Sequence, residues 1–123
     1  MIVLVIIYSR AYSPRMIYEC RVYTVVPGRM GALHALFRDH TCRIFERHGM
    51  KVIGFFTTEI GERNDQLTYL LGFDSLADRE RAWSAFRSDP EWAKVKAASE
   101  KDGPIVLRLS SEILTPTDYS PLR

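Results

Sequence analysis

The order of strand-like and helix-like segments between Ile17 and Leu114 constrains the fold of this chain most strongly. Runs rich in β-branched and aromatic residues, typical of strands, alternate with segments in which apolar residues recur every three or four positions, typical of helices. The segments follow one another as strand, helix, strand, strand, helix, strand. This order predicts an α+β fold of the ferredoxin-like βαββαβ type, a four-stranded antiparallel sheet with helices on one face.

Turn and capping residues mark the ends of the predicted elements. The strands are predicted over 17–25, 51–60, 66–73 and 105–114, and the helices over 29–48 and over the region from 74 to 103. Ser75 and Asp78 stand in capping-box spacing at the start of the second helical region. Asp89 and Pro90 restart that region, because Asp favours the N-cap and proline is tolerated in the first turn.

The length of 123 residues leaves room for one domain. We assign residues 16–114 to this domain, preceded by a leader over 1–15 and followed by a tail over 115–123. The apolar run at the start of the leader has eight residues, whereas a helix needs about 20 to cross a bilayer. We therefore expect an extension or an added strand there, and no membrane span.

The charge and the cysteine content limit which binding partners and which cellular compartment we expect. Seventeen Lys+Arg against fifteen Asp+Glu give a formal net charge of +2, and the charges are interspersed, which does not favour nucleic acid as a partner. Two cysteines, Cys20 and Cys42, are too few for a disulfide framework and favour a cytoplasmic location. Metal-ligand spacings, a phosphate loop and a nucleophile elbow are missing, so we expect no metal and no cofactor.

Apolar residues populate both faces of the predicted strands, including Ile53 and Phe55 of the second strand. The helices cover one face of the sheet, and the other face needs a different cover. Pairing of two sheets in a homodimer is the expected solution.

The first strand carries a row of polar residues. Glu19, Arg21 and Tyr23 are two positions apart and share a face. In a functional interpretation they form the floor of a pocket, with Arg21 holding an anionic or enolate oxygen, Tyr23 donating a hydrogen bond and Glu19 orienting Arg21. In the alternative they form an ion-pair network that satisfies itself across strands or at the dimer contact, where such pairs contribute only about 0.2–1 kcal/mol each.

His40 is the candidate general base. It falls within the apolar stripe of the first helix, near Leu33, Phe37 and Ile44, and this stripe is expected to face the sheet. An imidazole has an ordinary pKa of about 6.5 and suits proton transfer at neutral pH. The alternative is a core histidine bonded to a strand carbonyl or to Glu19.

Five local motifs, taken together over about residues 16–114, resemble the NIPSNAP family. They are Glu19-Cys20-Arg21-Val22-Tyr23-Thr24 followed by Pro27-Gly28, His48-Gly49, Gly54-Phe55-Phe56-Thr57-Thr58-Glu59-Ile60-Gly61 with Asn64, Asp78-Arg79-Glu80-Arg81, and Asp89-Pro90-Glu91-Trp92. The resemblance implies a dimeric α+β barrel. The family has no generally agreed catalytic activity, whereas the wider superfamily includes cofactor-free monooxygenases and haem-binding or haem-degrading enzymes. This chain has Phe56 where family members tend to carry Trp.

Phe56, Tyr69, Trp83 and Asn64 are the candidate binding residues for a small apolar or aromatic ligand. The aromatic positions are equally typical of an ordinary core. Two functions stay open at this point. The first, favoured by the missing metal, nucleotide and nucleophile signals, is a homodimeric binding or interaction module. The second is a cofactor-independent enzyme, monooxygenase- or isomerase-like, that uses His40 with Arg21 and Tyr23.

Overall fold

The computed structural model describes residues 15–123, so the predicted leader lies outside the described residues except for Arg15. The strands are β1 (Ile17–Val25), β2 (Lys51–Thr57), β3 (Gln66–Phe73) and β4 (Val106–Leu114). Helix α1 runs through three consecutive segments, Met30–Leu36, Phe37–Thr41 and Cys42–Arg47, and is followed by α2 (Leu76–Arg87) and α3 (Pro90–Ser99). The predicted βαββαβ order is confirmed, with two helices in the second helical region.

The four strands form one antiparallel sheet in the order β2-β3-β1-β4. In this register Arg21 of β1 lies opposite Tyr69 of β3 and Ser111 of β4. Residues directly opposite each other share a face of the sheet, and Trp83 of α2 bonds to Glu19 on that face. The polar row of β1 therefore points towards the helices.

The core fills the space between this face and the three helices, and it is rich in aromatic rings. Phe45 of α1 packs edge-on against Trp83 of α2, with ring centroids 5.7 Å apart, and Phe86 lies 5.0 Å from Phe45. Full burial of one such side chain contributes about 1.5–3 kcal/mol. Aromatic packing therefore holds α1 and α2 over the centre of the sheet.

Helix α1 departs from the regular helix predicted for it. A π segment occupies Phe37–Thr41, and the backbone N–H of Cys42 donates to the carbonyl of Phe37, five residues earlier. The hydroxyl of Thr41 donates to the Leu36 carbonyl at 3.3 Å. The extra residue turns Phe37 and Thr41 inward together, and both are buried. Such segments are rare and occur often at functional sites.

Local signals at the helix ends match the structure. Ser75 caps α2 by accepting a bond from the Asp78 N–H at 3.1 Å, and Asp89 caps α3 by accepting one from Glu91 at 2.8 Å. Gly49 ends the first helical region with φ of +77°, a conformation that favours glycine. These contacts confirm the capping predictions.

Several large apolar side chains stay exposed on the sheet. Phe56 of β2 points away from the helices and is 57% exposed, because a register shift between Val52 and Gly54 leaves its neighbour Phe55 on the helix side. On edge strand β4, Leu107 and Leu109 are 67% and 52% exposed. Within residues 15–123, no helix has the length and apolar character needed to cross a bilayer.

Candidate ligand-binding site

A cavity of about 570 Å³ lies between the helices and the β1–β4 half of the sheet. Its wall combines apolar and aromatic side chains with polar and charged ones in about equal measure, and Arg21 and Tyr23 of β1 reach it from the sheet. The π segment of α1 contributes Phe37 and Thr41. The apolar part of the wall consists of Leu33, Leu36, Phe37, Phe45, Trp83, Phe86, Trp92, Ile105, Val106, Leu107 and Leu109.

Glu19 lies directly behind this wall and is fully buried, with 0% of its surface exposed. Arg79 donates to both of its oxygens, at 2.7 and 3.3 Å, and Trp83 Nε1 donates at 2.8 Å. Ser111 Oγ and Arg21 complete the set at 2.6 and 3.0 Å. Burial works to raise the pKa of the Glu19 carboxyl, but these donors outweigh it and lower the pKa to about 2. Glu19 is therefore an anchored carboxylate at neutral pH.

The Arg21 guanidinium donates to three side chains and retains N–H groups that bond to none of the described residues. Its Nε donates to the Tyr69 hydroxyl at 2.7 Å, while its two terminal nitrogens donate to Glu19 and, at 3.3 Å, to Tyr23. The guanidinium also lies 4.5 Å from the centroid of the Trp83 ring. A guanidinium has five N–H donors, so two remain unused by the described residues. Burial opposes its charge, but Tyr69, Tyr23 and Glu19 raise the pKa of Arg21 above its usual range.

The hydroxyls of Tyr23 and Tyr69 lie 2.7 Å apart, and their proton arrangement follows from burial. Tyr69 is 0% exposed, and burial together with Tyr23 raises its pKa well above the usual value, so it stays a neutral phenol. If Tyr23 donated to Tyr69, the Tyr69 proton would be buried without an acceptor, at a cost of about 1–3 kcal/mol. Tyr69 therefore donates to Tyr23, and the Tyr23 O–H proton is left free to face the cavity.

Positive charge is concentrated around the cavity. The lining includes one carboxylate, Glu100, which lies 4.0 Å from Lys96. The cationic side chains of the lining are Arg21, Arg79, Arg87, Lys96 and Arg108. Glu19 behind the wall pairs with Arg21 and Arg79, and Glu80 also pairs with Arg79, so the positive excess of the cavity lies with the outer cations Arg87 and Arg108, which attract anions.

The structure gathers five of the predicted site residues and leaves three elsewhere. Arg21, Tyr23 and Trp83 line the cavity, and Glu19 and Tyr69 bond to them from behind.

The remaining three predicted site residues lie away from the cavity. His40 is half-buried in the π segment and is not part of the lining; its Nδ1 is buried without a partner among the described residues. Phe56 lies on the opposite face of the sheet, and Asn64 lies in the β2–β3 loop beside Pro27.

Sequence reasoning missed five residues of the site, all on elements distant from β1 in the chain. Arg79 and Ser111 bond to Glu19, and Arg87, Lys96 and Arg108 supply charge to the cavity. One signal was available for Ser111, because Ser110 and Ser111 interrupt the apolar pattern of the last strand. The others look like ordinary surface charges in the sequence.

Three further observations bear on alternative sites. A hollow of about 650 Å³ near the end of β3 includes His48, Lys51 and Asp78, but Asp78 is already paired with Arg81. In the part of the chain that the structure describes, no three His, Cys, Asp or Glu side chains are grouped as metal ligands. Both cysteines are free, and burial raises the pKa of each thiol.

The chain is similar to one family model and to several solved structures. The model of the family described as NIPSNAP matches residues 18–121. An uncharacterised NIPSNAP-like domain protein from Burkholderia xenovorans is 30% identical with a TM-score of 0.77, over 88% of this chain and 90% of that one. A NIPSNAP family protein of unknown function from Agrobacterium tumefaciens is 27% identical with a TM-score of 0.79, over 91% and 97% of the two chains.

A second NIPSNAP family protein from Agrobacterium tumefaciens is 31% identical with a TM-score of 0.78, over 88% of this chain and 99% of that one. No curated protein matches the sequence. The family model covers nearly the whole described chain, and the solved structures share its four-stranded α+β fold. The chain therefore belongs to the NIPSNAP family.

Proposed function

We propose that this NIPSNAP domain is a homodimeric binding module whose cavity holds a small molecule with an apolar or aromatic body. The observation that carries the proposal is the part-buried Arg21–Tyr23 pair at the wall of a cavity of about 570 Å³. Ligand pockets typically measure about 300–1,000 Å³ and combine an apolar lining with a few convergent polar groups. The cavity meets both criteria.

The donors of Arg21 distinguish a binding site from a self-satisfied network. In a structural network most donors end on protein acceptors, and a part-buried donor without one bonds to water or to a ligand. Arg21 uses three of its five N–H groups on Glu19, Tyr69 and Tyr23. The remaining two, together with the Tyr23 O–H, suit an acceptor supplied by a ligand.

Intrinsic fluorescence tests this binding function directly. Trp83 and Trp92 both line the cavity and are the two tryptophans of the chain. Titration with decan-1-ol, a neutral apolar probe, is expected to give a saturable change at one probe per chain. The Trp83→Phe and Trp92→Phe variants should each retain a response, because the other ring still touches the probe. Absence of saturation with decan-1-ol and with charged probes of the same length would rule the binding function out.

Dimer formation is supported by the apolar groups left on the sheet. Phe56 is 57% exposed on the face away from the helices, where partly buried Val22 and Leu70 also lie. A second copy of this face would cover these groups. Sedimentation equilibrium is expected to give twice the chain mass of 14.2 kDa.

The Phe56→Asp variant should shift the dimer towards the monomer, because it puts a charge into the contact. Ile60→Asp is the matched control, since Ile60 is 94% exposed in a loop. A monomeric unmodified chain, or equal effects of the two variants, would reject this dimer. We place the dimer in the cytoplasm, in keeping with two free thiols.

A cofactor-independent enzyme, monooxygenase- or isomerase-like, is the second candidate. It is favoured by the free Tyr23 O–H beside the Arg21 cation, because this pair suits stabilisation of a developing enolate or phenolate oxygen. A general-base role for His40 would require this side chain to reach the ligand, and it is not part of the lining. Oxygen uptake with electron-rich phenols, compared between the unmodified chain, Tyr23→Phe and His40→Gln, tests the candidate. Lack of oxygen uptake with the unmodified chain would rule out the monooxygenase-like activity.

A further inference from the structure

We infer that the ligand is an anionic amphiphile, a carboxylate on an apolar body, with its carboxylate against Arg21 and Tyr23. The inference rests on the proposed binding function and specifies the class of molecule bound. Three features of the cavity carry it: the charge at its inner end, the donors left over there, and the distribution of charge at its outer side.

The charge at the inner end matches one negative group. Arg21 and Arg79 contribute two positive charges and share the carboxylate of Glu19, and Arg79 also pairs with Glu80. Glu80 is 69% exposed, where such a pair contributes little, so within the buried part of the wall one carboxylate is shared by two cations. The Arg21 side chain is 13% exposed, and a cation so nearly removed from water is stabilised most by a directly bonded anion.

The leftover donors match the geometry of a carboxylate. Arg21 retains two N–H groups, and the Tyr23 hydroxyl retains its proton for the reasons given above. A carboxylate has two oxygens that only accept hydrogen bonds. One oxygen can therefore accept from Arg21 and the other from Tyr23. A neutral alcohol would offer one weaker acceptor, and an ammonium group would offer none.

The outer part of the cavity fits the remainder of such a molecule. Leu107 and Leu109 are lining residues that stay more than half exposed, so the apolar wall continues to the surface. Arg87, Lys96 and Arg108 also belong to the lining and are exposed, opposed by Glu100. These cations do not contact the inner carboxylate position and would act by attracting anions from solution, an effect that salt screens.

Three probes of equal length separate the charge preference from apolar binding. Tryptophan fluorescence titrations at pH 8 would compare decanoate, decan-1-ol and decylamine. Decanoate is expected to bind at least about tenfold more tightly than decan-1-ol, as a charge-assisted hydrogen bond implies, and decylamine more weakly than either. Equal affinity of decanoate and decan-1-ol would overturn the inference while leaving the binding function intact. Failure of all three probes to bind would instead refute the binding function itself.

Variants then locate the carboxylate. Tyr23→Phe keeps the ring and removes the O–H, and is expected to weaken decanoate binding several-fold more than decan-1-ol binding. Arg21→Gln should abolish the preference; its folding is checked by circular dichroism, and Arg21→Lys keeps the charge if the Gln variant does not fold. Lys96→Gln removes an outer cation of the lining and should lower the salt dependence of binding, and Lys94→Gln, an exposed lysine outside the lining, is the control. A preference that survives in both Tyr23→Phe and the Arg21 variants but disappears in Lys96→Gln would overturn the assigned position.

Discussion

Replacing Glu19 by glutamine removes the negative charge on which Arg79, Trp83, Ser111 and Arg21 converge, while the shape of the side chain is kept. Folding lowers the pKa of this carboxyl from 4.5 to about 2, because the donors outweigh the effect of burial. Since one pKa unit corresponds to about 1.36 kcal/mol, the ionised carboxylate stabilises the fold by about 3 kcal/mol at neutral pH.

The sign of the pH dependence follows from the lowered pKa of Glu19. Its contribution is fully present above the ordinary value of 4.5 and is lost as the pH falls towards the folded value of about 2. The glutamine variant cannot titrate at this position. The gap in free energy of unfolding between the unmodified chain and Glu19→Gln should therefore shrink by about 2 kcal/mol between pH 7 and pH 3.

Urea unfolding at fixed protein concentration, followed by tryptophan fluorescence, measures this gap. Any constant effect of the amide cancels when the two pH values are compared. Glu80→Gln is the matched control, because Glu80 also pairs with Arg79 but is 69% exposed, and exposed pairs contribute little. A gap for Glu19→Gln that stays constant with pH, or that changes no more than the gap for Glu80→Gln, would refute this account of the network.

Three further predictions concern stability and use the same unfolding assay. Trp83→Phe removes the N–H bonded to the buried carboxylate at 2.8 Å. It should lower the free energy of unfolding by about 1.5–3 kcal/mol, and a smaller change would mean that water replaces the donor. Ser75→Ala should cost about 1 kcal/mol through loss of the α2 N-cap, unlike Ser84→Ala on the exposed side of the same helix. Gly49→Ala should destabilise the fold, because φ of Gly49 is +77°. Gly31→Ala, in a helix with open space around it, should stabilise the fold by up to about 1 kcal/mol. Effects of equal sign would contradict the backbone argument.

The buried network around Glu19 connects stability to the proposed binding. Arg79 and Trp83 project from α2, whereas Ser111 projects from β4, so one carboxylate joins a helix to the sheet edge. Buried ion pairs add little net stability over apolar packing, but removing one partner is costly. The arrangement fixes the position of Arg21, and a fixed guanidinium loses less entropy on binding a ligand.

Short-range patterns were sufficient to predict much of this protein. Alternation along β1 places Glu19, Arg21 and Tyr23 on one face, because successive side chains of a strand point to opposite faces. The caps at Ser75 and Asp89 depend on neighbouring residues alone. The order of elements predicted the fold, since it allows few topologies, and the motifs indicated the family.

Only the tertiary structure decided what that polar face meets. Trp83 and Ser111 are 64 and 92 residues away from Glu19 in the chain, and no local pattern specifies that they meet at one carboxylate. His40 shares the helical spacing of Leu33 and Phe37, but the π segment shifts the helix by one residue, and Thr41 instead of His40 joins Leu33 and Phe37 in the cavity wall. Periodicity defines which residues share a face, whereas the packing of whole layers defines what covers that face and where space is left.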